Sequence, residues 1–298
     1  MDQFLDPLVL ARIKNMPLVA KTVAQGFLHG LHNSVKRGTG IEFSQYRAYE
    51  PGDALSNIDW KLYARSDKYF VRESERESNI NIWLVLDASA SMLQQGADSK
   101  EGWNKFDYAR HLLATIGYIA HQQGDGLGLL GLSSQNLHFL PALPGKQQWQ
   151  KCLLQLSNME AGETFPSSGL IQNYLAKMQQ NALVFVVSDF YEHNNEIFDF
   201  MANLSSHKTE VVALQLETDE EITFPYKGHI HFEDRETKQQ VLVSAKDVRA
   251  DYLANRASLN QKIQQRLTAN NIQHIKGNID KALDETLHQF LLARGKLL

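Results

Sequence analysis

From about residue 80 onward, short apolar runs alternate with stretches whose apolar residues recur every three or four positions. The runs Asn81–Leu86, Gly126–Leu132, Ala182–Val187 and Val211–Leu216 are rich in branched and aromatic residues. Each reads as a strand buried on both faces. Leu137–Leu140 reads as a shorter strand and Ile272–Ile275 as a last one. Between them, Phe106, Ala109, Leu113, Ile116, Ile119 and Ala120 lie at helical spacing, and 147–156, 170–178, 195–204 and 281–294 read as further helices. Near-continuous apolar strands separated by helices are the mark of a mostly parallel sheet covered on both faces. The expected fold class is therefore α/β, a doubly wound sheet of Rossmann type.

Two stretches depart from that alternation. Around 220–244, Pro225, Gly228, the alternating run His229–Glu233 and the resumed strand Val241–Val243 predict a β-hairpin insertion. A helix follows, with Val248, Tyr252, Leu259, Ile263 and Leu267 on one stripe. Residues 1–79 show neither period cleanly. Gly38, Gly40, Pro51 and Gly52 are scattered among charges and aromatics, with Tyr69–Arg72 as one candidate strand. The expected organisation is an irregular, β-containing N-terminal arm over 1–79 and one larger domain over 80–298.

Composition removes several functions. The chain has 298 residues, enough to bury a sizeable core without disulfides or structural metal. Its single cysteine, Cys152, rules out an internal disulfide and a Cys-based zinc site and suits a reducing compartment. A net charge of -4 argues against a general nucleic-acid binder. Asp2 and Asp6 break up the first apolar residues, so no signal peptide is expected. The longest apolar runs fall far short of the ~18 residues of a spanning helix. The expectation is a cytoplasmic protein without a membrane span.

The candidate chemistry sits directly after the first strand, in Asp87-Ala88-Ser89-Ala90-Ser91. In an open parallel sheet, ligands bind at the carboxyl ends of strands. A carboxylate and two hydroxyls at i, i+2 and i+4 there are hard oxygen ligands, suited to Mg²⁺, Mn²⁺ or Ca²⁺. Thr164, just before a predicted helix, and Asp189, at the end of the Ala182–Val187 run, supply donors of the same kind. The candidate metal site is Asp87, Ser89, Ser91, Thr164 and Asp189. It holds only two carboxylates, so an acidic side chain from a partner protein is expected to complete it. The competing reading makes Asp87, Ser89 and Ser91 ordinary turn and cap residues.

This set, in this chain order, resembles the metal-ion-dependent adhesion site of von Willebrand factor A domains, including the spacing from Thr164 to Gly169 in the second loop. The arm resembles something narrower. Gly38–Phe43, Arg47–Asp53, Ile58–Lys61 and Ala64–Arg65 look like the hallmark of the bacterial domain-of-unknown-function 58 family, as does the stretch from Phe224 through Phe232–Thr237 to Tyr252. Leu55-Ser56-Asn57 departs from that family's pattern, which usually carries basic residues there. The resemblance implies a von Willebrand A-like domain, association with a MoxR-type AAA+ ATPase and a chaperone-like part in assembling protein complexes. Asp53, Asp59, Trp60 and Arg65 are then candidates for docking a partner or anchoring the arm.

The resulting expectation is a non-enzymatic, Mg²⁺-dependent interaction module. The alternative is a Mg²⁺-dependent phosphatase or phosphotransferase with Asp87 as nucleophile, but Ser89 stands where such enzymes need a second Asp. Gly126-x-Gly128-x-x-Gly131 spells a dinucleotide fingerprint but falls inside a predicted strand, and no G-x-x-x-x-G-K-[ST] occurs. His29-x-x-His32 and His229-x-His231 have metal-compatible spacing without a nearby set to complete either site.

Overall fold

The apolar runs assemble into one six-stranded sheet in the computed structural model. It describes residues 80–295 except 97–102, 135–136, 163, 180, 192–194, 206–207, 234 and 236–238, together with 16, 20, 21, 23, 24, 46–48 and 69–72. In chain order the strands are β1 (Tyr46–Ala48), β2 (Phe70–Arg72), β3 (Asn81–Asp87), β4 (Gly126–Leu132) and β5 (His138–Leu143). Then come β6 (Ala182–Ser188), β7 (Thr209–Glu217), β8 (His229–Glu233), β9 (Gln240–Ser244) and β10 (Gln273–Asn278). The helices are α1 (Lys105–Gln123), α2 (Lys146–Asn158), α3 (Ser168–Met178), α4 (Glu196–Leu204), α5 (Asp219–Thr223), α6 (Ala245–Ala269) and α7 (Leu283–Gly295). Two compact units divide the chain. One holds Met1–Leu28 with Ile80–Leu298, the other His29–Asn79. In the second unit β1 and β2 pair antiparallel, Arg47 opposite Val71.

The sheet order is β10-β7-β6-β3-β4-β5. All neighbours are parallel except β4 and β5. Helices cover both faces, as the apolar strands predict. On one face Trp83, Val85, Val184, Val186, Val211 and Ala213 pack with Ile171 of α3, Phe200 and Met201 of α4, and Ile263 and Leu267 of α6. On the other, Gly117 of α1 lies against Leu84 and Leu127. Phe290 of α7 meets Phe185 edge to face. β4 and β6 are buried along their whole length, which is why their sequences carry no polar alternation.

Local chemistry sets the element ends. The Asn104 side chain caps α1 by accepting from the Asp107 N–H, and Gly124 ends it in the left-handed region. β5 runs past the predicted Leu137–Leu140 and through Pro141, which the last strand of the sheet among the described residues tolerates. The 220–244 stretch holds the expected hairpin, β8 with β9, but a short helix, α5, precedes it. Its Thr218 and Glu221 form a reciprocal capping box. The predicted stripe on α6 buries only at its far end, at Ile263 and Leu267; Tyr252 packs its ring on Phe224.

The glycine pattern in β4 belongs to packing. A Cβ on Gly126 would meet the Asn81 side chain, one on Gly131 would meet Met159, and one on Gly128 would lie 2.4 Å from the Trp83 ring. Trp83 is paired directly with Gly128 across the β3–β4 ladder, and its ring stacks on Phe139. The filling groups are thus mainly side chains of the neighbouring strand β3, Asn81 and Trp83, with Met159 at the end of α2. Gly128→Ala should overpack this contact and lower stability by about 1–3 kcal/mol in urea denaturation. A variant as stable as the parent would show that the Trp83 ring has room to move.

Candidate functional site

β3 stands at the centre of the order reversal. The chain leaves it for β4 on one side and returns to β6 on the other, so the carboxyl ends of β3 and β6 flank the topological switch point where such sheets bind ligands. Asp87 is the last residue of β3, Ser188 the last of β6, and Asp189 follows it.

Direct hydrogen bonds tie these ends together. One Asp87 carboxylate oxygen accepts from the Ser89 N–H at 2.9 Å, turning the chain away from the sheet. The other accepts from the Ser188 hydroxyl at 2.6 Å. The Ser188 hydroxyl in turn accepts from the Phe190 N–H. The Ser89 and Ser91 hydroxyls lie 3.1 Å apart, and Ser91 donates to Asp189 Oδ1 at 3.1 Å. Phe190 holds a positive φ of 58°, costly for a residue with a Cβ. That strained turn lets the Tyr191 N–H also reach Asp189 Oδ1.

The structure therefore gathers four of the five predicted ligands. Thr164 stands on the adjoining loop, its side chain exposed. That loop is anchored through backbone, with Gly162 N–H donating to the Ala88 carbonyl and Ser134 N–H to the Thr164 carbonyl. Asp53, Asp59, Trp60, Arg65, His29 and His32 lie outside the described residues. His229 and His231 are exposed on β8. Among the described residues, no three His, Cys, Asp or Glu side chains group in a metal-binding arrangement. The Asp87 centre accordingly carries two carboxylates, and its remaining donors are hydroxyls.

The two carboxylates are buried, Asp87 at 4% and Asp189 at 1% exposure. Burial, then the Asp189 charge, pushes the Asp87 carboxyl up to about 6, against the lowering effect of its hydrogen bonds from Ser188 and Ser89. Asp189 has a counter-ion of its own. Lys105, fully buried, places Nζ 3.1 Å from Asp189 Oδ2 and 2.7 Å from Glu221 Oε1. Burial alone would depress the lysine. The Asp189 and Glu221 carboxylates outweigh it and hold its pKa above the ordinary value, so the ammonium stays charged.

Lys105, Ser188 and Glu221 are the site residues that the sequence reading missed. Each left a trace. Lys105 is in phase with the buried Tyr108 and Leu112, so a charge stands where the helix stripe should be apolar. Thr218-x-x-Glu221 spells a capping box. Ser188 closes the clearest strand in the chain and shares the sheet's binding edge with Asp87.

No helix among the described residues is long and apolar enough to cross a membrane. An uncharacterized protein of Mycobacterium tuberculosis strain H37Rv is 28% identical over 235 residues, covering 78% of this chain and 72% of that one. The uncharacterized protein YeaD of Bacillus subtilis is 24% identical over 150 residues, covering 50% of this chain and 33% of its own length. Among solved structures, the conserved hypothetical protein BatB from Bacteroides thetaiotaomicron aligns with a TM-score of 0.46 at 14% identity, covering 67% of this chain and 90% of that one. The SpRpn10 VWA domain aligns with a TM-score of 0.40 at 9% identity, covering 70% and 94%. The family described as "Protein of unknown function DUF58" matches residues 45–262. That span runs from β1 through most of α6, well over half of the length, and the chain belongs to this family.

Proposed function

We propose that the chain is a non-enzymatic protein-interaction module whose Asp87 centre binds a hard divalent cation, Mg²⁺ or else Mn²⁺ or Ca²⁺. Asp87, Ser89 and Ser91 hold the ion, Thr164 contributes from the adjoining loop, and Asp189 binds directly or through water. A carboxylate of a partner protein completes the site. The observation that carries this reading is the convergence of Asp87, Ser89, Ser91 and Asp189 at the switch point, with oxygen donors throughout. Two buried carboxylates that repel each other are a donor set that a cation would stabilise. With two acids only, the set leaves a bound dication short of negative charge in the ligand shell, which is the physical reason to expect an acidic partner.

The partner we favour is a MoxR-type AAA+ ATPase, with the pair acting in a chaperone-like manner on protein assembly in the cytoplasm. The family resemblance supports that choice. An enzyme reading with Asp87 as nucleophile has less support, because Ser89 stands where such an enzyme needs a second Asp.

Titration with Mn²⁺, followed by electron paramagnetic resonance, should reveal one site in the parent protein and none in Asp87→Ala. Equal binding by the two proteins would sink the reading.

A second outcome follows from the charge of Asp87. Its folded-state pKa of about 6 exceeds the ordinary 3.8, so the folded form holds the proton more tightly. Stability from this group falls as pH rises from about 4 to about 6, and the full penalty, about 3 kcal/mol at most, stands above that range. In chelator-treated buffer, Asp87→Asn should gain stability relative to the parent between pH 4 and pH 7. A difference in unfolding free energy that stays constant across that range would refute the assignment.

A further inference from the structure

Lys105 is an ammonium with no exposed surface, fixed between two carboxylates at the edge of the candidate metal centre. It touches Asp189 through Oδ2, while Ser91 and the Tyr191 N–H use Oδ1. Asp189 therefore turns one oxygen to the candidate ion site and the other to a resident cation. Lys105 also lies over the Tyr191 ring, 5.1 Å from its centroid. Glu221, its second partner, is committed as well. Its Oε1 accepts from Lys105 and its Oε2 from the Thr218 N–H, the first backbone donor of the α5 capping box. One carboxylate thus links the lysine to the start of the insertion, where Phe224, next after α5, packs its ring at a tilt against Phe232 of β8 and Tyr252 of α6.

We propose that Lys105 is a positioning residue that competes, as an internal cation, with a divalent ion for the charge of Asp189, and so sets the affinity of the Asp87 centre. This rests on the metal-binding reading above and goes beyond it. Two cations drawing on one carboxylate repel each other across a few ångströms of low-dielectric protein, and the ion must bind against that field. Glu221 moderates the repulsion by taking a share of the lysine's charge. The competition keeps the centre weak in the isolated chain, and a partner's carboxylate then contributes a large part of the total affinity. When an ion draws on Asp189, Lys105 leans toward Glu221 and tightens the capping box at the start of α5.

The test measures Mn²⁺ affinity in four versions of the 298-residue chain: the parent, Lys105→Gln, Glu221→Gln and Lys105→Gln with Asp87→Ala. Lys105→Gln should bind on the order of tenfold tighter, because the repelling charge is gone. Glu221→Gln should bind several-fold more weakly, since the lysine's charge then falls on Asp189 alone. Adding Asp87→Ala to Lys105→Gln should abolish binding. Amide exchange of 218–223 should slow on Mn²⁺ addition in the parent and stay unchanged in Lys105→Gln. If the parent binds and neither single variant alters the affinity in its stated direction, the inference falls while the metal reading stands. If the parent is silent but Lys105→Gln binds through Asp87, the inference holds and the metal reading falls for the native chain. Silence in every protein removes both. Should Lys105→Gln fail to fold, Glu221→Gln decides the matter, because it leaves the lysine buried and paired with Asp189.

Discussion

Two carboxylates meet in a nearly dry environment where the ends of β3 and β6 lie side by side, and the surrounding loops are arranged around that repulsion. Asp87 is held by a serine hydroxyl and a backbone N–H, both of which favour its charged form. Asp189 is held by a hydroxyl, a backbone N–H and an ammonium. The strained turn at Phe190 and the lysine on the buried face of α1 are both costs borne by the sheet's core. Such costs persist only where the surrounding structure over-determines the geometry. Here the flanking strands β4 and β6 are buried along their length, and the helices pack on both faces of the sheet.

Most of the scaffold is legible as sequence because parallel strands buried on both faces read as plain apolar runs. Gly126–Leu132 is recovered to the residue, and Ala182–Val187 falls one residue short. Elements stabilised by something other than apolar period are harder to read. β5 extends through Pro141 because its position as the last strand of the sheet among the described residues, a tertiary fact, removes the need for that N–H. α5 is one short turn set by a capping box and by the pull of Lys105 on Glu221, with no buried residue of its own to advertise it.

The site divides in the same way. Asp87, Ser89 and Ser91 stand out because they follow a strand at a fixed spacing, and Asp189 because it ends another. Position along the chain and the rules of open sheets suffice for these. Lys105 and Glu221 join the centre across 84 and 116 residues of separation from their partners, through pairings that only the folded chain creates. A lysine at the start of a helix looks like a solvated charge until its helical phase is compared with that of Tyr108 and Leu112. The sequence carries both the scaffold and the Asp and Ser residues at its strand ends, but the pairing of Lys105 with Asp189 and Glu221 emerges from packing.

β5 has one more consequence. It closes the sheet on that side, pairs antiparallel with β4 with an irregular register between Leu127 and Leu129, and carries Pro141 mid-strand. The Pro141 carbonyl is taken by the Gln148 side chain, which also bonds to Leu127 of β4. The Gln148 amide thus bridges a β4 carbonyl and a β5 carbonyl where the register is irregular. Helix α2 thereby reaches into the sheet and, through the single Gln148 side chain, pins its last described strand to β4 at the point where the ladder shifts.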